Sequence, residues 1–355
     1  MNENQSPWGN NNRPTNPGPP RPWEDDSYRF GGPPPAPPPP GTRPTRRLLR
    51  QNANWVCLAL FLVFAASLVF GFVMGQLFTL FPGFIDVMVG LSPMGVGVVN
   101  MSMFTLALLL PTLLILHALR IPLHIAFPMR RTPASTTAAG VFCTLGMSVV
   151  GVYVAAMLTM MLASAGVTPS MPDFSPPTYG VGATIVFLVS LSLFPAVLEE
   201  LLFRGVVMQS LRRFGDPFAL ICSSILFAML HRNLIQGPNA LLTGLVLGYF
   251  TLRTGSLIPA MVAHFVNNLL AGSISVIMVH LPERYAQILN FSVIPTYLTL
   301  GAIGLVMMSL QGGYIPLRQS LTSLSEWKKY LLFFTSPLAL LFILATIWET
   351  RQFIG

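Results

Sequence analysis

Nine apolar stretches, joined by short polar connections, fill most of this chain: residues 54–77, 98–119, 136–163, 181–203, 217–233, 238–252, 256–279, 292–310 and 331–348. About 20 apolar residues cross the hydrocarbon core of a bilayer as a helix. Lipid offers no partner to a backbone N–H or C=O, so segments of this length must be helical. The expected fold is therefore all-α, a polytopic transmembrane helix bundle of about nine spans. The stretches 217–233 and 238–252 are marginal in length, and the second follows Gly237-Pro238, a helix-start signal. With 53% apolar and only 9% charged residues in 355, the composition excludes an ordinary soluble protein. Cys57, Cys143 and Cys222 all lie in apolar stretches and are expected to be reduced core residues.

Residues 1–48 form a different region. It contains the runs Pro33-Pro34-Pro35 and Pro37 to Pro40, and it cannot bury enough apolar surface to fold. A disordered cytoplasmic tail is expected, with a proline-recognising partner as its functional use. The net charge of +8 follows from the distribution of basic residues and does not point to nucleic acid. Arg43, Arg46, Arg47 and Arg50 precede the first stretch. On the same side of the alternation fall Arg120, Arg130, Arg131, Arg204, Arg212, Arg213, Arg253, Arg318, Lys328 and Lys329. The other side carries only Arg232, Arg284 and Arg351, with the acidic Asp86, Asp173 and Glu283. The bias predicts N-in and C-out in the plasma membrane.

Ionisable residues inside the apolar stretches mark the candidate site. Glu199, Glu200 and Arg204 are expected inside the fourth stretch, at bilayer depth. Each unpaired charge at bilayer centre costs about 2.5–3.5 kcal/mol even on lenient insertion scales. Such a cluster must pair, or line a wet cavity where it does chemistry. On a helix Glu200 and Arg204 share a face as an i,i+4 pair. Glu199 points about 100° away and must find its partner on another helix, which leaves it free to act as a general base. His231, then His264 with Asn267 and Asn268, follow in later stretches. His264 and Asn268 share a face, and Asn267 is open as a substitute. Counted at 1.5 Å per residue, Glu199 lies ~20 Å from Arg213, His231 ~21 Å from Pro217, and His264 and Asn268 ~12 and ~18 Å from Ser256. One common layer is expected. His117, His124 and His280 lie near the ends of stretches and read as interfacial.

The pattern Glu199-Glu200-x-x-x-Arg204, Phe227-x-x-x-His231 and His264-x-x-x-Asn268 resembles the CPBP intramembrane proteases, which include the type II CAAX prenyl endopeptidases and bacteriocin-processing or self-immunity relatives. Gly244 to Gly248 and Thr254-Gly255-Ser256 are similar to the family as well. The resemblance covers roughly residues 180–275. It implies peptide-bond hydrolysis within the membrane. Glu199 and His231 would hold and activate water, and His264 and Asn268 would supply oxyanion donors. Arg204 would fix the glutamates, and Phe227 would pack beside His231. Hydrolysis needs such a base, and donors where negative charge develops. No cofactor is needed for this chemistry. Glu199, His231 and His264 are also a possible zinc set, with water as fourth ligand.

The expected organisation is a tail (1–48), N-terminal transmembrane helices (49–180), a protease core (181–275) and C-terminal transmembrane helices (276–355). The expected partners are a peptide or membrane-protein substrate and the lipid bilayer. Intramembrane Glu, Arg and His also build proton relays, so a proton- or ion-coupled transporter is the competing function. A non-catalytic immunity or scaffold protein is the third.

Overall fold

A computed structural model describes residues 46–81, 93–172, 175–176, 180–319 and 324–355. The tail expected at 1–48 lies outside this set up to residue 45. Its proline-recognising partner and the positions Asp86 and Asp173 also lie outside it. The described residues are helical apart from connections and one isolated pairing of extended residues, Pro169 with Ile354.

In chain order the helices are α1 (Arg46–Leu80), α2 (Pro93–Leu119), the short α3 (Leu123–Ala126), α4 (Ala134–Ser164), α5 (Val181–Glu200), α6 (Asp216–Leu230), α7 (Gln236–Thr254), α8 (Ile258–His280), α9 (Glu283–Leu310), α10 (Glu326–Phe334) and α11 (Pro337–Thr350). Among the described residues six helical stretches are long and apolar enough to cross a membrane, or up to seven if the bent pair α10–α11 counts as one span. The helix bundle is as expected, with six to seven candidate spans among the described residues where the apolar stretches predict about nine. α6 has only 15 residues, and α7, carrying Gln236, Asn239 and Arg253, is not among the six.

Several boundaries move for local reasons. α1 begins at Arg46, so Arg46, Arg47 and Arg50 belong to its first turns. α9 begins at Glu283, well before residue 292, with Pro282 ahead of it and Glu283 suited to the positive helix start. The stretch 331–348 is broken at Thr335-Ser336-Pro337, and its two parts are bent by 69°. Pro337 has no N–H to continue the ladder and holds Ser336 extended. The new helix start is capped from outside, where Asn54 Oδ1 accepts the Leu338 N–H at 3.1 Å.

The fold positions its centre by close helix approach. α4 packs on α7, α8 and α9, α5 lies between α2 and α8, and α1 packs on α2 and α11. At the α4–α9 crossing a Cβ on Gly146 would stand 2.7 Å from the Gly301 Cα. Small residues let membrane helices approach this closely, which is where much of their association comes from. The main core gathers Leu60, Phe203, Phe218, Phe333 and Phe342, all 0% exposed, from α1, the segment after α5, α6, α10 and α11.

Candidate active site

Glu199 and Glu200 are the last residues of α5, and the chain stays helical to Phe214 through an unusual segment. Leu201–Val207 is a π-helix, followed by Met208–Leu211 and a short 3₁₀ turn at Arg212–Phe214. π-segments are rare and concentrate at functional sites. This one is fitted against α3: a Cβ on Gly205 would lie 2.8 Å from the Ala126 carbonyl. The Phe203 carbonyl accepts both the Met208 N–H and the Ser223 hydroxyl of α6, the latter at 2.8 Å. No apolar periodicity announces this widening; Gly205 is its only trace in the sequence.

Glu200 is fully buried and Arg204 is 1% exposed. Arg204 Nη1 donates to Glu200 Oε1 at 2.8 Å, as the i,i+4 spacing predicts, and Nη2 donates to the Gly244 carbonyl at 3.1 Å. Arg204 is thus an interior charge and drops out of the loop residues that argued for orientation. The same Glu200 Oε1 meets His264 Nδ1 at 2.9 Å. Glu200 Oε2 is buried and has no hydrogen-bond partner. Glu199 finds its partner on another helix, as expected: His264 Nε2 lies 3.8 Å from its Oε2. That is an electrostatic contact, too long for a hydrogen bond.

His231 follows the last residue of α6. Its Nδ1 is 2.9 Å from the Phe227 carbonyl. A carbonyl only accepts, so Nδ1 carries a proton, and in the neutral form of the ring the lone pair is on Nε2. His231 and His264 both lie within electrostatic reach of Glu199.

Phe227 joins these parts. Its ring meets His231 edge-on with centroids 5.0 Å apart, His264 at 6.0 Å and Phe203 at 5.2 Å. The Arg204 guanidinium lies over its face at 4.4 Å. Gly244 of α7 makes room for this stack, since a Cβ there would stand 3.1 Å from Arg204 Nη2 and 3.2 Å from the Phe227 ring. The Thr254-Gly255-Ser256 turn sets the start of α8. Gly255 is left-handed at φ 63°, and Ser256 Oγ donates to the Arg130 carbonyl at 2.8 Å and accepts the Ile258 N–H at 3.3 Å.

Asn268 lies one turn beyond His264 on α8. Its Nδ2 donates to the Leu191 carbonyl of α5 at 3.2 Å, while Asn267 Nδ2 donates to Asn268 Oδ1 at 3.2 Å. His264 thus meets Glu200 and Asn268 meets Leu191, so α5 and α8 run antiparallel. The structure brings Glu199, Glu200, Arg204, His231 and His264 together around Phe227, and it engages Asn268 with backbone nearby. His117, His124 and His280 are exposed at helix ends or in the short α3.

The alternative zinc set is Glu199, His231 and His264. Among the described residues no three His, Cys, Asp or Glu converge as a metal-binding group. His231 and His264 each turn Nδ1 to a partner within the protein, as a histidine that ligates zinc through Nε2 also does.

Sequence reasoning missed Arg232. It has a left-handed backbone at φ 59°, its Nη1 is 3.3 Å from Glu349 Oε2 of α11, and its guanidinium is 5.7 Å from the centre of the Phe64 ring of α1. The residue after His231 is thereby tied to two helices distant in sequence.

Residues 181–270 match the profile of the family described as Rce1-like, type II CAAX prenyl endopeptidase. The match covers about a quarter of the chain and includes Glu199, Glu200, Arg204, Phe227, His231, His264 and Asn268. No curated protein and no solved structure matches the chain.

Proposed function

We propose, from the match of residues 181–270 to the Rce1-like profile, that the protein is an intramembrane endopeptidase in which Glu199 activates water. The observation that carries the reading is the pair of unlike glutamates. Glu200 Oε1 is taken by Arg204 and His264, whereas Glu199 makes only a long contact and stays available to a ligand.

In this reading water sits between Glu199 and the free Nε2 of His231. Glu199 takes a proton as the water oxygen attacks the scissile carbonyl carbon. Negative charge then develops on the carbonyl oxygen. His264 donates to it from Nε2, because Nδ1 is directed at Glu200. With Nδ1 on the Glu200 carboxylate, donation from Nε2 requires a proton on both ring nitrogens of His264. Asn268 is the second donor and exchanges the Leu191 carbonyl for the substrate oxygen; Asn267 is its alternative. The proton held by Glu199 passes to the leaving amine as the C–N bond breaks. The second proton of the water leaves the new acid for the amine, so the products are a carboxylate and an ammonium, and no metal takes part.

The substrate class that goes with the family is a membrane-associated peptide of CAAX type. The orientation that goes with the basic residues puts the start of α1 on the cytoplasmic side of the plasma membrane. The test is hydrolysis of a prenylated CAAX peptide, and of a panel of membrane peptides, by the purified protein in nanodiscs. The reading expects ¹⁸O from water in the new carboxylate, loss of cleavage in His231→Ala, and undiminished cleavage after chelation. Cleavage abolished by chelator and restored by zinc would contradict it.

A further inference from the structure

The first turns of α1 and the bend between α10 and α11 enclose a cleft of about 820 Å³. Arg46, Arg47, Arg50, Gln51, Asn54, Trp55 and Leu58 line it from α1, with Leu332 from α10 and Leu338 from α11. The bend makes the space, since Pro337 ends one helix course and Asn54 captures the start of the next. The cleft lies at the membrane face where the segment after α5 ends, because Asn52, in the same turn of α1, donates to the Ser210 carbonyl at 3.0 Å.

Its lining is graded. The three arginines are exposed, and no carboxylate among the described residues forms an ion pair with them. One turn deeper come the half-buried Asn54 and Trp55, then Leu58 with Leu332 and Leu338. Leu58 is 12 residues beyond Arg46, ~18 Å along the helix. Charge at the rim, an indole at the boundary and leucines below match an amphiphile in the order in which a lipid presents its parts. Trp favours that boundary depth, and basic pockets between membrane helices on this side bind anionic head groups.

We propose that this cleft is a site for an anionic phospholipid, with the phosphate held by Arg46, Arg47 and Arg50 and an acyl chain lying along Leu58, Leu332 and Leu338. The occupant is a phosphate-bearing amphiphile; a free phosphate supplies the same charge but nothing for the leucines. Because Asn54 both lines the cleft and caps α11, an occupant braces α1 against α11, the helix whose Glu349 holds Arg232 beside His231.

The full-length protein in neutral detergent would be titrated with short-chain phosphatidylglycerol, short-chain phosphatidylcholine or inorganic phosphate, reading the melting temperature. Phosphatidylglycerol should stabilise at lower concentration than phosphatidylcholine, and phosphate should not substitute for it. Arg50→Gln should weaken the phosphatidylglycerol response about 5-fold, and Arg47→Gln with Arg50→Gln about 25-fold, at the usual contribution of one interfacial arginine. Arg47→Lys with Arg50→Lys should retain it, as should Arg284→Gln at a distant exposed site. If the double glutamine variant does not fold, Arg50→Gln alone decides. Equal responses to both lipids, an unchanged response in Arg50→Gln, or full replacement by phosphate would overturn the proposal.

Discussion

Two clusters of buried charge lie on the same helical course from Val181 to Phe214, little more than two turns apart, and they are built differently. In the one after the π-segment, Arg212 Nε donates to Asp216 Oδ1 at 2.8 Å and Nη1 to Gln209 at 3.2 Å. Asp216 Oδ2 accepts the Arg318 N–H at 3.2 Å. Lys329, fully buried, donates to the Phe214 carbonyl and to Glu326, both at 2.6 Å. Both oxygens of the Asp216 carboxylate are engaged. In the cluster before and within the π-segment, Glu200 has one engaged and one orphaned oxygen, and Glu199 has only the 3.8 Å approach of His264. Burying a charge is tolerated when it is paired and hydrogen-bonded, and the Asp216 cluster meets that condition as a brace between the α5 course, α6 and α10. The Glu199 cluster keeps hydrogen-bonding capacity in reserve, which is what a site needs and a brace does not.

The comparison breaks most severely at Arg204. Arg204→Ala strands Glu200 in the interior and should cost about 3–5 kcal/mol of stability, seen as loss of the folded form in detergent melts. An unchanged melting temperature would mean that Glu200 is neutral without its partner. Next comes His264→Ala. Removing one oxyanion donor lowers turnover about 10²–10³-fold, and the measurement is kcat at saturating peptide. A loss confined to KM would reassign His264 to substrate binding.

How far the sequence carried this picture is visible at those same residues. The Glu200–Arg204 pair and the separate course of Glu199 follow from helical spacing alone, and so does the shared face of His264 and Asn268. The all-helical bundle follows from the apolar stretches. Four features were not legible. The π-segment carries Gly205 against the Ala126 carbonyl, a close approach between residues distant in sequence. Asn268 bonds to Leu191 because α5 and α8 are antiparallel, which no local pattern dictates. Arg232 is held by Glu349, 117 residues away. The break at Pro337 was present in the sequence as a proline inside an apolar stretch, but the Asn54 cap that makes the break stable was not.

A milder perturbation sharpens the comparison. Gly244→Ala places a methyl group against Arg204 and Phe227 and should cost about 1–3 kcal/mol by overpacking. Activity per folded molecule should fall with it, because the Phe227 stack holds both histidines. A variant as stable and active as the parent would show that the stack yields easily. The smallest effect is expected for Glu349→Gln. Its partner Arg232 is partly exposed, so stability should change by less than about 1 kcal/mol, and the informative readout is kcat, which falls if Arg232 helps to hold His231 in place.

The difference between the two clusters is tested most directly by measuring peptide hydrolysis and melting temperature side by side for Glu199→Gln and Asp216→Asn. Both replacements remove one buried carboxylate charge and keep the shape. The account predicts that Glu199→Gln loses about 10²-fold or more in rate while its melting temperature holds, and that Asp216→Asn melts earlier while each folded molecule keeps its rate. Hydrolysis by Glu199→Gln at the parent rate would contradict it.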